Sequence, residues 1–261
     1  MIEPIIINNQ QLYFADCFEI FPLISNKSID AIICDLPFGT TNCHWDCQLP
    51  LDKLWVEYKR IIKSNGAIIL FAQTPFDKVL GCSNLNWLRY EWIWEKTQAT
   101  GHFNAKKMPM KAHENILVFY EKLPTYNPQK TNGHSPVNSY TKKAIVCNKT
   151  EIYGKVTQDV SGGGDTDRFP RSVLLFASDK QTTKLDGTIH PTQKPLELLK
   201  YLIRTYTNEN DIILDNCMGS GTTNLASLLL NRKSIGIENV KKYFDISVKR
   251  CLNAIKSNTT C

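Results

Sequence analysis

The run Asp30-Ala31-Ile32-Ile33-Cys34-Asp35-Leu36-Pro37-Phe38-Gly39 joins a short apolar strand to a stiff polar turn. Ala31 to Cys34 are four consecutive apolar residues, two of them β-branched, the pattern of a strand buried on both faces. The run stops at an acid. Pro37 fixes its own φ, lacks a backbone donor and drives Leu36 toward an extended conformation. Gly39 lets the chain turn away. The expected product is a rigid tip at the carboxyl end of a strand, where open α/β sheets bind ligands. It presents the Asp35 carboxylate, a backbone carbonyl and the Phe38 ring.

Outward from this strand, residues 5–7 and 12–15 predict short strands, the second ending at Asp16. Leu51, Leu54, Trp55, Tyr58, Ile61 and Ile62 recur at helical spacing, with Gly66 as the expected helix stop and residues 67–72 as a second buried strand. Thr74-Pro75 predicts a helix start with Thr74 as N-cap. Residues 91–95 and 115–120 continue the strand series. The alternation of Trp92 and Trp94 marks a sheet strand, not a nucleic-acid platform. From Lys122 to Pro170 periodicity disappears and Asn, Gly, Pro, Ser, Thr and Lys dominate. A structureless loop of that length inside a compact domain is functional or mobile. Strand character resumes at residues 171–176.

The last third is the most orderly. His190-Pro191-Thr192-Gln193-Lys194-Pro195 leads into a helix over 196–203, and residues 211–215 form a strand. Asn216-Cys217-Met218-Gly219-Ser220-Gly221-Thr222-Thr223 follows as a glycine turn. A helix over 224–231, a strand over 234–238 and a final amphipathic helix complete the chain. Strand, glycine turn, helix, strand, acid is a mononucleotide-binding half. The glycines permit a tight turn and close approach of a ligand to a helix N-terminus. Glu238 ends the next strand 17 residues after Gly221, placed to accept hydrogen bonds from two ribose hydroxyls. Asn224 stands where GxGxxG needs its third glycine, which argues against a dinucleotide. No GxxxxGK is present, which argues against an ATP phosphate cradle.

The tip suits chemistry on the exocyclic amino group of a base. Such a nitrogen is a poor nucleophile because its lone pair is delocalised into the ring. Two acceptors on its hydrogens favour a pyramidal nitrogen, and a carboxylate offsets the developing positive charge. Asp35-Leu36-Pro37-Phe38 resembles the Asp-Pro-Pro-Tyr/Phe motif of DNA amino-methyltransferases, with Leu36 replacing the first proline. Asp215-x-x-x-Gly219-Ser220-Gly221-Thr222-Thr223 resembles motif I of S-adenosylmethionine-dependent methyltransferases, with Cys217 where the family usually has Phe. Glu238 looks like the motif II acid. The 190–195 segment is similar to motif X, which wraps the methionine portion of the cofactor. Asp16 is a looser match to the acid near the cofactor adenine.

Catalytic tip first and cofactor loop last is the order of β-class amino-methyltransferases. That resemblance implies an α/β fold, a Rossmann-like class I methyltransferase sheet with an inserted irregular target-recognition segment. Residues 1–99 would form the catalytic half, 100–185 the target-recognition segment and 186–261 the cofactor half. It implies Asp35, Leu36, Pro37 and Phe38 as catalytic residues, with Phe38 on an exposed turn stacking on a flipped base. For S-adenosylmethionine it implies Asp16, Thr192, Lys194, Pro195, Asp215, Asn216, Cys217, Gly219, Ser220, Gly221, Thr222 and Glu238. Lys194 reads equally as a solvated lysine at a helix start. The implied activity is methylation of adenine N6 in duplex DNA. Asp35 favours adenine over cytosine N4, because cytosine-N4 enzymes of this family generally carry Ser there. A cytosine-N4 enzyme and an inactive DNA-binding protein of the same fold are the alternatives.

Composition bounds the rest. At 261 residues, 42% of them hydrophobic and five of them Trp, the chain is long and apolar enough for one large core with a modest inserted lobe. It holds no apolar run long enough to span a membrane, and its first ten residues lack the pattern of a signal peptide. Nine scattered cysteines without a paired CxxC read as reduced thiols of a cytoplasmic protein, of prokaryotic or phage origin by the resemblance. Cys43, His44 and Cys47 have no second pair to complete a metal site, so no metal is expected. The net charge is +6, and residues 101–190 hold 13 Lys/Arg against eight Asp/Glu. Such a segment reads as a phosphate-contacting surface or as solvated loops. Trp45 is expected to pack under its loop, and His102 and His113 to be ordinary surface positions. Duplex DNA is the expected partner; a homodimer and a cognate restriction endonuclease are the further partners that the resemblance leaves open.

Overall fold

The computed structural model describes residues 2–39, 46–142, 159–179 and 193–258. They form two compact units, Met1–Asn127 with Ser172–Cys261, and Pro128–Arg171.

The first unit is built on a nine-stranded sheet. In chain order its strands are β1 (Ile5–Ile7), β2 (Gln10–Phe14), β3 (Ile29–Cys34), β4 (Ile62–Ala72), β5 (Leu88–Thr100) and β6 (Lys111–Phe119), then β9 (Val173–Phe176), β10 (Ile212–Asp215) and β11 (Lys233–Glu238). The spatial order is β1-β2-β11-β10-β3-β4-β6-β5-β9. From β2 to β4 all pairings are parallel, whereas β6 runs antiparallel to both β4 and β5. This mixed sheet carries the α/β architecture expected from the sequence.

The quoted strand forms as expected and sits at the centre. Ala31, Ile32, Ile33 and Cys34 are each 1% exposed or less. Because strand side chains alternate, Ile32 and Cys34 enter one apolar layer and Ala31 and Ile33 the other. The first layer is closed by helix α2 (Leu51–Ile61), through Leu54, Trp55 and Tyr58, and by α3 (Phe76–Ser83), through Phe76 and Leu80. The second is closed by α4 (Leu196–Tyr206), through Leu198, Leu199, Leu202, Ile203 and Tyr206. Trp92 and Trp94 are buried in that layer, as a sheet strand requires. A third cluster joins α5 (Thr222–Leu229) and α6 (Lys241–Asn258) to the β1/β2 end.

Two local expectations are corrected. Gly66 does not stop α2: the helix ends at Ile61 and β4 begins at once. Gly66 lies inside the strand, where a Cβ would come within 2.7 Å of the Asp30 carbonyl oxygen and of the Ile62 side chain, so its role is close packing. Thr74 does not cap α3. The cap position is Pro75, and the Thr74 hydroxyl instead lies 3.4 Å from Asp77 Oδ2.

The second unit falls in the stretch without periodicity, yet it is structured locally. Strands β7 (Tyr140–Lys142) and β8 (Val160–Gly162) pair antiparallel, and Thr131 bridges to Arg168. Lys130 pairs with Asp167 at 2.8 Å and lies 4.3 Å from the centre of the Phe169 ring. Of residues 100–185, β6 and β9 belong to the large sheet and only Pro128–Arg171 to this unit.

The parallel strands determine where a ligand can bind. β3 and β10 are neighbours, with Leu214 opposite Ile32, so their carboxyl ends open side by side. From β10 the chain passes through α5 to β11 on one side; from β3 it passes through α2 to β4 on the other. The two loops diverge and leave a crevice at this switch point.

Candidate active site

Both motifs meet in that crevice. A cavity of about 630 Å³ is lined by Asp35, Leu36, Pro37 and Phe38 from the end of β3 and by Asp215 to Ser220 from the end of β10. Asp16, Lys194, Thr222 and Glu238 complete its wall. Thr192 lies outside the described residues, as do Cys43, His44 and Trp45.

At the tip, Leu36 is 2% exposed and belongs to the core, so only its backbone is available to a ligand. Gly39 has φ +66°, and its amide donates to Asp46 Oδ1 at 2.8 Å while Gln48 Nε2 donates to the Phe38 carbonyl at 2.7 Å. Asp46 and Gln48 therefore hold the turn, a role that their polar surroundings in sequence do not reveal. Phe38 is not on an exposed turn. It is half-buried, tilted against Phe76 at 5.3 Å between ring centres. Phe76 closes the space beneath the ring, and its remaining surface faces the cavity.

Asp35 is only partly satisfied. Its Oδ2 accepts from Lys194 Nζ, whereas its Oδ1 is buried with no hydrogen-bond partner. Burial raises its pKa to about 6, against the opposing pull of the Lys194 ammonium. Lys194 is only 7% exposed, which excludes the reading as a solvated lysine. It also lies 3.4 Å from Glu114 Oε2, and Glu114 pairs with Lys96 at 2.6 Å. Burial works against the charge on Lys194, but the Asp35 and Glu114 carboxylates outweigh it and hold its pKa above the ordinary lysine value. Burial likewise disfavours the Glu114 charge, and the two lysines reverse that and lower its pKa. Four charges thus alternate from Lys96 through Glu114 and Lys194 to Asp35. Glu114 and Lys96 carry no motif, and only the β5/β6 pairing brings them here.

On the other wall, Gly219 and Gly221 both have positive φ, 51° and 72°. A Cβ on Gly221 would come within 2.5 Å of Ser247 Cβ on α6. A side chain there would strike α6, and the glycine lets the loop lie against that helix. Arg250 of the same helix donates to the Ser220 carbonyl at 2.7 Å, to Ser220 Oγ at 3.0 Å and to Thr222 Oγ1 at 2.9 Å. No sequence signal marked Arg250. Glu238 is 8% exposed, and its two oxygens accept from the Gly219 and Val240 amides, each at 2.8 Å. It fastens the glycine turn to the end of β11, and burial raises its pKa.

Asp215 accepts from the Cys217 amide at 3.2 Å, and burial raises its pKa to about 6. Asn216 Oδ1 accepts from the Tyr58 hydroxyl at 2.5 Å, which ties the loop to α2. Cys217 is half-buried in the cavity wall. Asp16 is exposed and caps the short helix α1 (Cys17–Ile20), accepting from the Phe18 amide at 2.8 Å. Pro195 is the N-cap of α4, and Gln193 Oε1 accepts from Ser220 Oγ at 2.9 Å. Gln193 Nε2 is buried without a partner. Three buried polar atoms without a hydrogen-bond partner, Asp35 Oδ1, Glu114 Oε2 and Gln193 Nε2, thus belong to residues lining one cavity edged by a glycine turn. Among the described residues no group of His, Cys, Asp or Glu is arranged to hold a metal ion, and no helix is long and apolar enough to cross a membrane.

Comparison with known proteins agrees with this geometry. The family described as DNA methylase, which covers N6 and N4 enzymes, matches residues 29–249. The Type II methyltransferase M2.MboI of Moraxella bovis is 49% identical over 93% of this chain and 87% of its own length. M.HinfI of Haemophilus influenzae is 28% identical over 93% of this chain and 68% of its own length. Among solved structures, the M1.HpyAVI–SAM complex has a TM-score of 0.61 and 27% identity, covering 92% of this chain and 98% of that one. The cytosine-N4-specific PvuII methyltransferase has a TM-score of 0.66 at 15% identity, a likeness of fold, covering 95% and 91%.

Proposed function

The chain belongs to the S-adenosylmethionine-dependent DNA methylase family, and from that premise we propose that it methylates the N6 amino group of adenine at specific sites in duplex DNA. The observation that carries this reading is Asp35: a half-buried side chain lining the cavity, with one oxygen held by Lys194 and the other buried and unpartnered.

S-adenosylmethionine supplies an electrophilic methyl group. The residues that line the cavity fit it: Gly219, Ser220, Asp215 to Cys217, Thr222 and Glu238 on one wall, with Asp16, Gln193 and Lys194 around them; Gly221 and Pro195 are next to lining residues in sequence. Thr192 joins them by the motif alone. Glu238 and Arg250 hold the turn in place before any ligand arrives, so little ordering is left to binding.

The target amino group lies inside the duplex, so the adenine must leave the stack at a cost of a few kcal/mol. Phe38, backed by Phe76, offers its free face to the extruded ring. Asp35 Oδ1 accepts one amino hydrogen, and the backbone carbonyl of Leu36 accepts the other. Pyramidalisation then frees the nitrogen lone pair. As the nitrogen becomes cationic, the Asp35 carboxylate stabilises the charge. The alkylated nitrogen must shed one proton, and a carboxylate whose pKa is raised to about 6 is a better first acceptor than an ordinary one. Lys194 keeps Asp35 ionised and aimed.

Residues 100–185, which contain the Pro128–Arg171 unit, are the segment this reading assigns to target recognition. The same reading extends to a homodimer, tested by light scattering, and to a cognate endonuclease, tested by cleavage of unmethylated host DNA. The experiment for the activity is incubation of the purified chain with labelled S-adenosylmethionine and duplex DNA, followed by nucleoside analysis. N6-methyladenine is expected. N4-methylcytosine would replace the adenine assignment, and absence of label would leave a binding protein.

A further inference from the structure

Strands β5 and β6 pair as far as Thr100 opposite Lys111, and the ten residues between them project beyond that last pair. Every residue from Gly101 to His113 is exposed. At the tip, in a short 3₁₀ turn over His102–Asn104, Phe103 is 91% exposed. Single exposed apolar residues are ordinary, but this one is not isolated. Its ring is backed by that of His102 at 4.1 Å between centres, and Met108 and Met110 are 54% and 41% exposed beside it in sequence. Lys106, Lys107 and Lys111 share the hairpin, and no acid occurs between Lys96 and Glu114.

The base of this hairpin is the wall of the candidate active site. Lys96, Thr100 and Glu114 line the cavity that holds Asp35, and Lys111 Nζ donates at 3.2 Å to Gln73, another lining residue. An apolar ring on a cationic arm beside the catalytic carboxylate matches one ligand chemistry, stacked bases flanked by phosphates.

We propose that the 101–110 hairpin enters DNA beside the target, where Phe103 takes the stacking place of the extruded base while Lys106, Lys107 and Lys111 hold the neighbouring phosphates. The proposal rests on the DNA methyltransferase reading above and adds to it a residue that keeps the target base out. Phe38 and Phe103 then act at the two ends of one movement: Phe38 receives the base, and Phe103 fills the gap behind it.

The test uses the full chain and a duplex carrying its methylated site, mapped beforehand by modification-sensitive sequencing. Single-turnover methylation is measured with the target adenine paired to thymine, and again with an abasic site opposite, where the base is already loose. Phe103→Ala should slow the paired duplex roughly tenfold or more, the scale of one lost base–aromatic stack, and leave the abasic duplex nearly unaffected. Phe103→Trp should restore the paired rate. Neutralising Lys106, Lys107 and Lys111 together should flatten the salt dependence of DNA affinity. Unchanged rates for Phe103→Ala, or an equal loss on both duplexes, would overturn the proposal. If the parent chain methylates neither duplex, the methyltransferase reading itself fails, which is a separate result.

Discussion

Lys194 Nζ donates to Asp35 Oδ2, joining the residue before the α4 cap to the tip of β3 across 159 positions of sequence. One lysine thereby couples the motif implied for the cofactor to the motif implied for catalysis. Glu114 on its other side prevents it from neutralising Asp35 alone.

Replacing Lys194 should therefore damage chemistry as well as the fold. Lys194→Met leaves the partly buried Asp35 and Glu114 carboxylates with one cation fewer. The stability loss should approach the ~3–5 kcal/mol typical of a broken buried pair, reduced because the Asp35 side chain is 25% exposed. Chemical denaturation reads this loss. Lys194→Arg should recover stability more than activity, since a guanidinium is bulkier and planar.

The pH dependence of activity should show an acid limb near pH 6. Methyl transfer needs Asp35 ionised, and its pKa is raised to about 6, so single-turnover rate should rise with pH through that value. Lys194→Met should move the limb upward. Stability has the opposite sign. Folded Asp35 holds its proton more tightly than the unfolded residue, so ionising it across roughly pH 4–6 disfavours the folded state as pH rises. Asp215, also raised to about 6, acts in the same window. Asp35→Asn should remove its share of that slope and leave the share of Asp215.

Gly221→Ala should destabilise the protein before it affects any ligand. The position has φ +72°, and the new Cβ would come within 2.5 Å of Ser247 Cβ. Left-handed strain of ~1–2 kcal/mol adds to an overpacking cost of ~1–3 kcal/mol. Denaturation without cofactor should show the loss. An unchanged midpoint together with abolished cofactor binding would mean instead that the side chain invades ligand space.

Glu238 and Arg250 hold the same turn by different means, and their variants should separate. Glu238→Ala should weaken S-adenosylmethionine binding by ~1–3 kcal/mol, the range for hydrogen bonds to a charged group, and should also lower stability because the Gly219 and Val240 amides lose their acceptor. Arg250→Met removes donors to Ser220 and Thr222 and no group expected to touch the cofactor. It should loosen the turn, with smaller loss of affinity per unit of stability lost. Calorimetry and denaturation on both variants give that ratio.

The local chemistry of the sequence was enough for the framework. Four apolar residues before Asp35 can be satisfied only by burial on both faces, and Ala31–Cys34 are the centre of the sheet. The Gly219–Gly221 turn, the strand ending at Glu238 and the final helix follow from φ preferences and periodicity, which act over a few residues. The same locality explains the misreadings. Gly66 has the spacing of a helix stop, but its reason for being glycine is the Asp30 carbonyl, more than thirty residues away. Phe38 follows a turn motif, yet its burial is set by Phe76 on another element.

What only the tertiary structure decided is the electrostatic state of the site. Lys96 and Glu114 are ordinary charged residues in the sequence, the 190–195 motif names no partner for Lys194, and each would be solvated in an isolated strand or helix start. Sheet pairing and helix packing bring them into contact within a few ångströms, where water is excluded and a charge is stable only beside its opposite. The partner of Asp35, its orphaned oxygen and the projection of Phe103 from the same wall are consequences of that assembly. The sequence specifies all three, but no local pattern expresses them, because desolvation and long-range pairing exist only once the chain has folded.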